Sequence, residues 1–111
     1  MPASDFDLEL QELQRRSVHR LLAADTFDES AFIELKRYLC AKAELIKEEH
    51  VVSKQVLSVL LEAASAIESR AEYVASARAH VGMANEFHML LGLIAIGEGC
   101  NDRVPGVPRA R

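Results

Sequence analysis

Hydrophobic positions recur along this chain with a helical period. In the first segment Phe6, Leu10, Leu13, Leu21 and Ala24 fall on one side, while Glu9, Glu12, Arg16, His19 and Arg20 face away. Ser4 predicts an N-cap, with Asp5, Asp7 and Glu9 near the positive end of the helix dipole. The stretch DTFDES interrupts the pattern, and Thr26 followed by Glu29 has capping-box spacing, so a second helix is expected to begin near Phe27. Phe32, Leu35, Leu39, Ala43 and Ile46 form its apolar stripe, opposite Glu34, Arg37, Glu44 and Glu48. Around EEHVVSK the phase slips: Val51 and Val52 leave the stripe and His50 falls onto it, which predicts a break. A third helix follows, with Val56, Leu60, Ala63 and Ile67 inward and Lys54, Ser58, Glu62, Ser65 and Ser69 on the far side.

Ser69 and Glu72 again have capping-box spacing, so a turn between Ile67 and Arg70 competes with a helix running straight through. The last helical region, 72–97, bends or restarts at Gly82. Its second half has no polar face. Phe87, Leu90, Leu91 and Ile94 point one way and Met89, Leu93 and Ile96 the other, the pattern of a helix surrounded by its neighbours. Gly97 and Gly99 suit a helix C-terminus, and Pro105 and Pro108 prevent helix from resuming. No proline or glycine occurs between Asp5 and Val81, which argues against a β-rich fold. The expectation is an all-α, single-domain bundle of four or five helices over residues 1–99, with a buried C-terminal helix and an extended tail over 100–111.

Length and composition fit that picture, since 111 residues with half of them hydrophobic can bury a core without staples. Charge narrows the partners. Seventeen acids against thirteen bases give a formal −4, which lacks the diffuse attraction to phosphate that nucleic-acid binders use. Cys40 and Cys100 match no metal spacing, and MPASDFD has neither the basic nor the apolar part of a secretion signal. The longest nearly apolar run, Met89 to Ile96, is too short to span a bilayer. A cytoplasmic protein with reduced thiols is expected.

Candidate chemistry is sparse. No histidine stands three residues after a glutamate, as di-iron bundles require, and His80 and His88 lie roughly 12 Å apart along a helix. Neither a metal nor a cofactor is expected. Cys40 flanks an apolar stripe, where a thiol is inert packing, and nothing marks a base for Cys100. Glu86, His88 and Glu98 serve acid–base chemistry only if they meet in a cleft. The segment SKQVLSVLLEAASAIESRAEYV has helix-turn-helix proportions, but Glu62, Glu68 and Glu72 stand where a recognition helix needs bases and amides. The chain is therefore read as having no catalytic residues, and neither nucleic acid nor membrane is an expected partner. Protein binding remains. Glu44, Glu48 and Glu49 cluster beside His50 at the helix junction, and a surface of that sign suits a basic cleft.

The segment FHMLLGLIAIGEGCND, Phe87 to Asp102, resembles a pattern in small all-helical immunity proteins of bacterial toxin systems, of the type VI secretion and polymorphic-toxin kind. Leu91, Gly92, Ile94, Ala95, Glu98 and Asp102 carry the resemblance, and beyond them RVPGVPRAR departs from it. It implies a bacterial, non-catalytic protein that binds one cognate toxin or effector with a basic surface and occludes its active site. Expected contacts, from charge and position, are Glu44, Glu48, Glu49, Glu98, Asp102 and Arg103. The alternative is a homo-oligomeric adaptor or structural protein, a homodimer for instance, with Leu57, Leu61 and the Val51–Val52 pair as an apolar seam.

Overall fold

The computed structural model describes residues 6–100. The expected cap Ser4, the contacts Asp102 and Arg103, and the tail from 101 onward lie outside the described residues. Helix α1 (residues 8–24) is continuous, with α-helical Leu8–Gln14 and Arg20–Ala24 flanking a π-helical turn, Arg15–His19. It is followed by α2 (Glu29–Ile46), α3 (Lys54–Arg70), the single short turn α4 (Ala75–Ala79) and α5 (Val81–Ala95). No strand occurs among the described residues, so the all-α bundle is the observed architecture.

Helix boundaries follow side-chain caps, at positions slightly displaced from those expected. Asp7 caps α1, its carboxylate accepting from the Leu10 amide at 3.1 Å. Asp28, rather than Thr26, caps α2 by accepting from Ala31 N, and Thr26 turns its hydroxyl back to the Ala24 carbonyl. Ser53 caps α3, and the break around His50 lies where the phase slip put it. The helix passes Ser69 and ends at Arg70, so the chain does turn here, at 71–74, and no single helix runs through. The restart expected at Gly82 falls at His80, which joins α4 to α5.

Asp7 also ties three helices together. Its second carboxylate oxygen accepts from the Tyr38 hydroxyl at 2.6 Å and pairs with Lys42 Nζ at 2.7 Å, both on α2. The Gln55 amide on α3 closes two 2.8 Å hydrogen bonds on the Asp7 backbone. Burial pushes the Asp7 carboxyl up, but Lys42, Tyr38 and the Leu10 amide outweigh it and hold its pKa at about 2.

The core fills the space between α1, α2, α3 and α5. Phe32, Leu35, Leu39, Ala43 and Ile46 are buried as a stripe, and so are Val56, Leu60, Ala63 and Ile67. Phe32 meets Phe87 edge to face at 6.4 Å, and burial of each phenyl ring contributes roughly 1.5–3 kcal/mol. On α1 the inward row is Leu10, Leu13, Ser17, Val18 and Leu21, whereas Phe6 and Ala24 are exposed. The buried Ser17 hydroxyl donates to the Leu13 carbonyl at 2.7 Å, inside the π-turn.

Two expectations change. Helix α5 buries Ala84, Phe87, Leu90, Leu93 and Ile94, mainly against α3, but Met89 and Ile96 are 66% and 58% exposed. It has neighbours on one side only, so it is a core helix with an open face and is not surrounded. The thiols are not free either: Cys40 and Cys100 form a disulfide, Cα–Cα 5.6 Å, and no free cysteine remains. No helix among the described residues is long and apolar enough to cross a membrane.

Candidate functional site

The C-terminal end of α2 and the connection to α3 form an exposed corner. Helix α2 stops at Ile46 without a glycine or proline; the Glu49 amide bonds back to the Ile46 carbonyl at 2.9 Å, and residues 47–53 then run without helix to the Ser53 cap. Val52 packs against the core and anchors this connection. Its neighbours therefore point outward. Glu48, Glu49 and His50 are exposed, Val51 is 67% exposed, and Leu45, one turn back on α2, is 78% exposed.

A second segment is clamped to the same helix end. After α5 the chain turns through Gly97, whose φ of +78° is the left-handed region that glycine enters cheaply. A Cβ at Gly97 would stand 3.1 Å from the Lys47 carbonyl oxygen. A Cβ at Gly99 would meet the Glu44 carboxylate, the flexible end of that side chain, so glycine leaves it room. Cys100 then bonds to Cys40. Lys47, Glu44 and Cys40 lie on one side of α2, and the segment 97–100 runs along them towards the start of the helix.

The expected contact residues separate into three groups. Glu44, Glu48 and Glu49 are exposed, with Glu44 pairing with Lys47 at 3.1 Å. Glu98, within the segment 97–100, is only 4% exposed and so is not part of the open surface. Asp102 and Arg103 lie outside the described residues. Leu45 was not among the expected contacts, and Val51 was expected only in the seam of the adaptor. Their only sequence signal is that each is apolar and off its helix stripe.

The other chemical candidates do not converge. Glu86 pairs with Lys36 across the α5–α2 gap, and His88 Nε2 stands 3.5 Å from Glu68 on α3. His80 is held at the α4–α5 joint, 2.7 Å from Glu29 Oε2 and 2.7 Å from the Ser76 carbonyl, with its ring stacked on Phe27 at 4.7 Å. The Ser76 carbonyl and the Glu29 carboxylate raise its pKa above the usual histidine value. Among the described residues no three histidine, cysteine or carboxylate side chains gather as a metal site. The corner presents exposed apolar and anionic side chains to solvent. No protein family model matches this chain, and neither does any curated protein or solved structure.

Proposed function

We propose that this chain is a non-catalytic protein-binding module, and specifically an immunity protein that neutralises a toxin by covering its basic active site. The observation that carries the reading is the exposure of Leu45 and Val51 at the corner that also exposes Glu44, Glu48 and Glu49. Apolar side chains supply contact that is worth desolvating, and anionic ones steer encounter with a basic surface. The resemblance over Phe87–Asp102 supports the class of protein rather than the contacts, since Ile94 and Glu98 within it are buried. The disulfide favours an oxidising compartment for the folded form over the cytoplasm.

Exposed Met89, Ile96 and Leu61 favour the second reading, a homo-oligomeric adaptor. Of its expected seam, Val52 packs on the core and Leu57 is half-buried, which leaves Leu61 and Val51.

The test is affinity capture from extracts of the source organism with the native chain and with Leu45→Asp/Glu48→Lys/Glu49→Lys. One dominant basic protein held by the native chain and lost from the triple variant supports the proposal. An identical set on both baits defeats it. A dimer whose light-scattering mass does not respond to salt transfers the case to the adaptor.

A further inference from the structure

Helix α1 carries a feature that the acidic corner does not use. Across the π-turn the chain reads RRSVHR, Arg15 to Arg20, with Ser17 and Val18 buried. Arg15, Arg16, His19 and Arg20 stand together on the outer side of this turn. These side chains border a concavity of about 480 Å3, completed by Ala23, Ala24 and Asp28. Three guanidinium groups and the Asp28 carboxylate line it, and Glu12 and Glu34, which pair with Arg15 and Arg16, stand beside it. The arginines gather at a π-turn, a deviation often met at functional sites.

The plain alternative is a set of surface ion pairs. Arg15 pairs with Glu12, Arg16 with Glu34 at 3.3 Å and Arg20 with Asp28 at 3.4 Å. The last two are long single contacts, and all three arginine side chains stay open to solvent. A guanidinium has five N–H donors, so these pairs leave donors unused on each. Solvent-exposed pairs of this type contribute little to stability, which leaves the clustering of three arginines in one bowl without a structural reason.

We propose that this pocket binds a small phosphorylated molecule, with Arg15, Arg16 and Arg20 holding the phosphate and Ala23 and Ala24 facing the group that bears it. A tetrahedral dianion accepts hydrogen bonds from several guanidinium groups at once, whereas a planar carboxylate is served by one fork. The volume lies in the range of small-molecule sites, about 300–1,000 Å3, and exceeds what a bare phosphate fills. His19 adds a ring N–H at the rim.

The full chain, titrated with inorganic phosphate, pyrophosphate and phenyl phosphate, is followed by amide chemical shifts. Saturable changes confined to α1 and the start of α2 are expected, with phenyl phosphate binding more tightly than inorganic phosphate. Arg16→Gln/Arg20→Gln weakens binding about tenfold or more, the loss expected for one charge-assisted hydrogen bond. Arg37→Gln, which lines a different concavity, leaves binding unchanged. The charge-preserving Arg16→Lys/Arg20→Lys pair falls between, because it keeps the charge and loses the forks. Circular dichroism of each variant checks that α1 is intact. Shifts that do not saturate, or a glutamine variant that titrates like the native chain, overturn the proposal. Arginine-dependent retention on phosphatidylcholine vesicles doped with phosphatidic acid, without saturable binding of the soluble phosphates, reassigns the phosphate to a lipid headgroup and overturns the small-molecule form.

Discussion

Asp7 concentrates more of the fold than any other polar side chain described. It starts α1, and through Tyr38, Lys42 and Gln55 it fixes the angle at which α1 enters against α2 and α3. A carboxyl held at about 2 against an ordinary 3.8 is lowered in the folded state, so its contribution is present above the unfolded value and is lost as pH falls through the folded one. The shift corresponds to an order of 2 kcal/mol at neutral pH. Asp7→Asn is therefore expected to lower urea-unfolding stability at pH 7 by about that amount and to flatten the stability loss between pH 4 and pH 2. Equal acid limbs for the two proteins would mean that the Lys42 pair contributes nothing. None of this was visible in the chain: Ser4, Asp5 and Asp7 are all competent caps, and Asp7 is selected by partners 31 to 48 positions away. Thr26 lost to Asp28 in the same way, since both can cap and Asp28 also meets Arg20.

Among the elements, α2 and α3 were legible because their apolar residues repeat at three and four and meet a core on one side only. Every residue of both predicted stripes is buried. Helix α5 was legible as a helix but not in its burial. An all-apolar pattern states that a helix tolerates being surrounded, while coverage depends on how many neighbours reach it, and here one side stays open at Met89 and Ile96. The candidate corner divides similarly. Exposure of Glu48 and Glu49 follows from their charge, whereas the exposure of Leu45 and Val51 and the burial of Glu98 depend on which neighbours reach them, which composition does not encode. The α4–α5 joint yields a prediction at this scale. Both His80 ring nitrogens face oxygen acceptors, the Ser76 carbonyl and Glu29, and only the imidazolium donates from both. Its raised value makes the stabilisation complete below the unfolded histidine value of 6.5 and lost as pH rises through the folded one. Amide exchange at 75–84, corrected for intrinsic rates, is thus expected to speed up with rising pH in the native chain. In His80→Gln it should not depend on pH. Matching pH profiles would remove His80 as the cause.

At the scale of the molecule, the Cys40–Cys100 bond changes which parts of the chain belong to the folded unit. After α5 the backbone turns with hydrogen bonds back to Leu93 and Ile94, and Gly97 and Gly99 approach Lys47 and Glu44. The disulfide ties the end of the described chain to the middle of α2 across 60 positions. Sequence patterning sees cysteines one at a time, and pairing is a statement about two places in space, which is why inert packing and a free thiol were the expectation. A closure of that length removes entropy from the unfolded chain worth about 4 kcal/mol on the loop-entropy account, a large part of the roughly 5–15 kcal/mol by which domains are stable. The core itself lies between α1, α2, α3 and α5 and does not need the bond to be apolar or well packed. Replacing both cysteines by serine is therefore expected to leave the helical circular dichroism signal intact while lowering the unfolding free energy in urea by up to about 4 kcal/mol. Dithiothreitol should shift the native chain the same way and leave the double variant unmoved. Thiol titration of the unreduced, denatured chain should find no free thiol, and after reduction it should find the two cysteines. Two reactive thiols before reduction, or a variant as stable as the native chain, would show that the clamp on α2 holds without a covalent bond, and the argument for an oxidising compartment would lose its basis.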